Sequence, residues 1–147
     1  MSDKIIIMPY EADHVIREKG LIVSGIPDDA LIDWAKKHEI NGIAWSGFAE
    51  GHLVAAGGVH FYWPGVGEAW TFMTSSLHKY RFSVHKHVYR LLNDIINRHK
   101  LYRVQAVINA SHQAALDWIE ALGFEKEGLM KKYGPDGQDY YMYGRVK

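Results

Sequence analysis

His112-Gln113-Ala114-Ala115-Leu116-Asp117-Trp118-Ile119-Glu120-Ala121-Leu122-Gly123-Phe124-Glu125-Lys126-Glu127-Gly128 is the stretch that decides the fold. Ser111 ahead of it is a residue type that caps helices, so a helix is expected from there to Leu122. Gly123 stops it, because glycine leaves a helix in the left-handed conformation without a Cβ penalty. Phe124 then drops into the core. Phe124 to Tyr133 and Gln138 to Val146 read as two strands. Pro135-Asp136-Gly137 turns the chain between them: proline presets one dihedral and glycine accepts a positive one.

Working back toward the amino terminus, Val104, Ala106 and Ile108 alternate with Arg103 and Gln105, which predicts a strand over 102–108. Leu77 to His99 is mostly helical, with Val84, Val88, Leu91, Leu92, Ile95 and Ile96 as its apolar stripe. Glu68 to Thr74 is a strand, preceded by the Pro64-Gly65 break. Ile43 to Phe48 and His52 to Tyr62 are strands joined by a Glu50-Gly51 hairpin loop, after a turn at Asn41-Gly42. Pro27-Asp28-Asp29 starts a helix carrying Leu31, Trp34 and Ala35 on one side. Residues 10–19 look helical until Gly20 and Gly25 interrupt, and 4–8 form a short strand. The order describes one α/β (α+β) domain over 1–147, with a mixed, mostly antiparallel central sheet flanked by helices.

Composition narrows the function. The 147 residues are 48% hydrophobic, enough for a sizeable core. Seventeen basic and seventeen acidic residues cancel, so no global field draws the chain to nucleic acid or membrane. The absence of cysteine excludes disulfides and thiolate chemistry. Met1 to Ile7 is too short an apolar run for a signal peptide, and no stretch reaches the ~20 apolar residues of a membrane span. The default expectation is a soluble cytoplasmic protein.

The run from His112 to Gly128, followed by Met130-Lys131-Lys132-Tyr133-Gly134 and Asp139-Tyr140-Tyr141-Met142-Tyr143, resembles the GNAT N-acetyltransferase superfamily. That family commonly reads Asn-x-x-Ala-(Ile/Leu), a helix, Leu-Gly-Phe, then Glu-Gly and a closing hairpin. The hairpin looks most like that of the branch acetylating protein amino termini. The resemblance covers nearly the whole chain and implies a GNAT-like acyl-CoA N-acyltransferase fold. It also implies acetyl-CoA as co-substrate and a primary amine as acceptor: a protein amino terminus, a lysine or a small amine. Homodimers are common in the family, and the aromatic last strand offers an edge for a second copy.

In the family the fourth and fifth strands diverge, and the pantetheine arm pairs with backbone groups of the fourth. Carried over, those contacts are Phe72, Met73 and Thr74, with Asn109 and Trp118 in the same site. A glycine-rich loop normally holds the pyrophosphate where the next helix opens. Aligned backward from Leu91-Leu92, its Gln/Arg position is Ser83 and its Gly-x-Gly positions are Lys86-His87-Val88. Bulky side chains hinder backbone approach there. The replacement is cationic, drawn from His78, Lys79, Arg81, His85, Lys86, His87 and Arg90. The same stretch also reads as a solvated helix face, or as a nucleic-acid patch with Tyr80 and Tyr89 to stack.

Amine acetylation needs a base for the amine, a donor for the carbonyl and an acid for the thiolate. The resemblance makes Glu68, at the start of the fourth strand, the base. The family's acid, a tyrosine five residues before the Gly-Phe phenylalanine, is Ile119 here with Trp118 beside it; Tyr133 is the substitute. Trp45, Phe61, Tyr62 and Trp63 are either core or the lining of an acceptor pocket. Nine histidines form no metal-binding pattern, and no metal is expected. Short phage proteins of this fold share the long segment after the fourth strand and the glycine-poor loop. They make a catalytically inactive, phage-like structural or assembly protein the alternative reading.

Overall fold

The computed structural model describes residues 4–19, 22, 27–40, 42–135 and 137–147. Its elements are β1 Ile6–Pro9, α1 Ala12–Ile16, α2 Asp28–Lys37, β2 Ile43–Ala49, β3 His52–Trp63, β4 Val66–Met73, α3 Leu77–Arg98, β5 Arg103–Asn109, α4 Gln113–Ala121, β6 Glu125–Met130 and β7 Tyr140–Val146. The strands form one sheet in the order β1-β2-β3-β4-β5-β7-β6. Every neighbouring pair is antiparallel except β4 and β5. This is the mixed, mostly antiparallel sheet that the sequence predicts. Gly20, Gly25, Asn41 and Asp136 lie outside the described residues.

Turn chemistry sets this order. Glu50 and Gly51 take φ of 54° and 80°, the two positive values of a tight hairpin, so β2 and β3 are antiparallel neighbours. Parallel strands cannot be joined by a tight turn. The crossover from β4 to β5 therefore uses α3, which also covers one face of the sheet.

Each face has its own core. On one side α3 and α4 bury Leu92, Ile95, Ile119 and Phe124 against Val59, Val104 and Tyr143. On the other, α1 and α2 bury Tyr10, Val15, Leu31 and Ala35 against Leu53, Ala56 and Phe72. Each fully buried large side chain contributes about 1.5–3 kcal/mol. The helix stop behaves as predicted: Gly123 has φ 92° and Phe124 is 3% exposed.

Three expectations are corrected. The cap of α4 is His112, whose Nδ1 accepts from the Ala115 amide at 2.9 Å. Ser111 instead engages Asn109 Oδ1 through both its amide and its hydroxyl. The last strand offers no edge, because β7 is bonded to β5 on one side and β6 on the other. Finally, β6 ends at Met130, so Tyr133 lies in the connection to β7 rather than in a strand.

Candidate active site

The parallel pairing of β4 with β5 is short: Val66, Gly67 and Glu68 lie opposite Arg103, Val104 and Gln105, and it stops there. Beyond Glu68, β4 stays with β3, while β5 stays with β7 along its whole length. Each strand follows its own antiparallel partner and the sheet forks. Among the described residues, Ala69 to Met73 therefore have no strand on the β5 side. The N–H and C=O groups directed there need a partner from elsewhere.

A cleft of about 240 Å³ occupies the fork. Its walls include Phe72 and Met73 from β4, Asn109 from β5, His87 and Val88 from α3, and Trp118 from α4. Six of the residues expected at the cofactor thus meet in one place. The Trp118 indole N–H donates to His85 Nδ1 at 3.0 Å, which ties α4 to α3 above the cleft. Asn109 is held by Gln138, whose side-chain oxygen accepts from its amide.

Thr74 is a correction to the expected backbone contacts. Its amide donates to Val54 O at 3.0 Å and its carbonyl accepts from Leu77. Its hydroxyl reaches Leu53 O at 2.8 Å, and it bridges to Ile22. Nothing of its backbone is left for a ligand. Ser83 to Val88 are also placed differently from a phosphate loop. They lie inside α3, where a break in helical geometry at Tyr80 (φ −110°, ψ 15°) restarts the helix at Arg81, so Ser83 is in the first turn after the break and Lys86 to Val88 are beyond it. The amides of Lys86 to Val88, beyond that first turn, are committed to carbonyls one turn back. Ser83, His85 and Lys86 do not border the cleft. Lys86 and Arg90, which flank His87 and Val88 on α3, are exposed. Arg90 contacts His87 Nδ1 at 2.9 Å. Burial, then Arg90 and Lys86, push the His87 imidazole below its ordinary pKa.

Glu68 is the last paired residue before the fork, and it is half-buried. Its Oε1 accepts from the Tyr62 hydroxyl at 2.7 Å and from Gln105 Nε2 at 3.3 Å. Burial, and then its bond to Glu68, raise the Tyr62 phenol above the ordinary tyrosine range. The Tyr133 phenol is raised by burial and by the charge of Glu68, so it too lies within electrostatic reach of that carboxylate. Its ring meets Tyr140 edge-on at 5.5 Å. Both phenols keep their protons at neutral pH. Glu68, Tyr62 and Tyr133 do not line the cleft themselves; Glu68 precedes Ala69, which does. One carboxylate and two proton-bearing phenols are the inventory of general base and general acid. Ile119, at the family's tyrosine position, is buried in the core.

The sequence missed the role of Tyr62 and all of Gln105. Both reach Glu68 from neighbouring strands, so their proximity depends on register. The alternation of Arg103 and Gln105 with Val104 and Ala106 was the available signal.

No family model matches the chain, and no curated protein resembles it significantly in sequence. Solved structures do match its shape. The ribosomal-protein-S18-alanine N-acetyltransferase from Escherichia coli superposes with a TM-score of 0.75 at 13% identity, covering 97% of this chain and 94% of that one. A GNAT-family acetyltransferase from Bacillus anthracis gives 0.69 at 16% identity, covering 99% and 98%. A spermidine N-acetyltransferase mutant from Vibrio cholerae gives 0.69 at 15% identity, covering 98% and 94%.

Proposed function

From the GNAT acetyltransferase fold as premise, we propose that this chain is an N-acetyltransferase that moves the acetyl group of acetyl-coenzyme A to a primary amine. The observation that carries this is the open edge of β4, from Ala69 to Met73, ending at the Glu68 carboxylate. The edge offers backbone partners to an extended amide-bearing arm, and the carboxylate stands where that arm would end. In this reading Glu68 takes the proton of the incoming ammonium. The amine nitrogen then forms its bond to the thioester carbon as the carbon–sulfur bond breaks. Tyr62 or Tyr133 gives a proton to the leaving thiolate and recovers one from the nitrogen, which sheds its second proton as the neutral amide forms; Glu68 releases the first to solvent. Lys86 and Arg90 supply positive charge for the phosphates in place of loop amides. The acceptor is a protein amino terminus, a lysine or a small amine.

A second reading, a GNAT-shaped domain without catalysis, is favoured by one observation: Lys86 to Val88, at the expected glycine positions, form helix interior and do not offer free amides to a pyrophosphate. Isothermal titration with acetyl-CoA, followed by thiol release with an alanine-terminated peptide, a lysine peptide and spermidine, separates the two. Binding with turnover of one amine is expected. No heat and no thermal shift at millimolar acetyl-CoA would sink the transferase reading.

A further inference from the structure

On the sheet face that carries α1 and α2, side chains join into one hydrogen-bonded chain from the surface to the fork. Glu127 receives both terminal nitrogens of Arg103, at 2.7 and 2.9 Å. Arg103 Nε donates to Gln105 Oε1 at 3.1 Å, and Gln105 Nε2 donates to Glu68 Oε1 at 3.3 Å. Arg103 and Gln105 are two apart on β5 and so share a face. Glu127 reaches them from β6, across the width of β7. What lets it cross is Gly144 on β7: a Cβ there would collide with the Glu127 carboxylate and come within 2.9 Å of an Arg103 nitrogen.

The chemistry of this chain is directional. A primary amide is nearly symmetric in shape but not in function, and by shape alone it sits either way round. Arg103 only donates, so the amide must turn its oxygen to it. An ionised Glu68 only accepts, so the amide must turn its nitrogen there. The two neighbours agree on one orientation, and the two-pronged Glu127 contact keeps the guanidinium plane in place. We infer that Arg103 and Gln105 are positioning residues for Glu68, held by Glu127 over Gly144. They tie one carboxylate oxygen, together with Tyr62, so that the other faces the amine. This rests on the base role proposed above for Glu68.

The test uses the full chain, acetyl-CoA and whichever amine of the panel turns over fastest. Gln105→Met should lower kcat about tenfold, since misplacing a reacting group costs rate steeply, while acetyl-CoA affinity stays within about twofold. The same change in a Glu68→Gln background should have no further effect, because its only route is through Glu68. Wild-type kcat in Gln105→Met, or an equal loss in both backgrounds, overturns the inference alone. Wild-type kcat in Glu68→Gln removes the base role and the inference with it. A second measurement needs no acceptor. The Gln105 side-chain amide resonances, assigned by their loss in Gln105→Met, should move toward those of a solvent-exposed glutamine in Arg103→Met. Unmoved resonances would overturn the orienting role even if no amine of the panel is turned over.

Discussion

The Tyr62 hydroxyl donates to Glu68 Oε1 at 2.7 Å between adjacent strands β3 and β4. Tyr62 is 44% exposed, so its hydroxyl contributes little to packing. Tyr62→Phe should leave Tm within about 2 °C of wild type, as for most surface changes. Its kcat should fall about fivefold or more, with acetyl-CoA affinity unchanged, through loss of a donor to the carboxylate and of a candidate acid. Steady-state kinetics beside a thermal melt checks this, and an unaltered kcat would remove Tyr62 from the site.

Ser46 is fully buried under α1, and its hydroxyl lies 2.8 Å from His14 Nδ1. The Glu11 amide donates to the same nitrogen at 3.3 Å, so Nδ1 is the acceptor and the serine donates. Ser46→Ala should cost about 0.5–1.5 kcal/mol, the net worth of one hydrogen bond, because the Glu11 amide still satisfies Nδ1. Urea denaturation would detect this as a lower midpoint at constant slope.

Alkaline pH should weaken the fold through Tyr143. It is fully buried and donates to Glu120 at 2.9 Å. Burial first, and then that hydrogen bond, push its phenol from 10.0 up to about 12. Between those values the unfolded tyrosine has lost its proton and the folded one keeps it. The native state then binds more protons, so stability falls as pH rises. The contribution is whole below pH 10 and lost by about pH 12. Urea midpoints across this window should fall less steeply in Tyr143→Phe than in wild type.

If side chains replace loop amides at the phosphates, acetyl-CoA affinity should depend on Lys86 and Arg90. The double change Lys86→Ala, Arg90→Ala should weaken binding about tenfold, as loss of charge-assisted contacts does. Wild-type affinity should fall with added salt more steeply than that of the variant. Calorimetry at two ionic strengths measures both, and equal affinities would place the phosphates elsewhere.

Most of the fold was legible because its signals are local. The alternation at Val104, Ala106 and Ile108, the stripe on α3 and the stop at Gly123 each need only a few residues of context. The cap of α4 was misread because serine is the commoner capping residue, whereas Asn109 draws Ser111 away and leaves the His112 ring to accept. Glu68 was legible only through the family resemblance. Tyr62, Gln105 and Glu127 were not, because what joins them is the register of five strands, β3-β4-β5-β7-β6, and Gly144 gives no sign of the ion pair passing over it. At Ser83 to Val88 the missing glycines were visible, but the depth of these residues inside α3 was not, since that depends on where the helix begins.

The unpaired edge of β4 has a consequence beyond ligand capture. Exposed strand edges recruit other chains and lead to aggregation. This one runs only from Ala69 to Met73, with Gln105 at one end and Thr74 bridged to Ile22 at the other. α3 and α4 stand over it. Among the described residues this leaves a partner strand only Ala69 to Met73 to pair with. The edge proposed to take a slender arm is thereby too short to recruit a long strand.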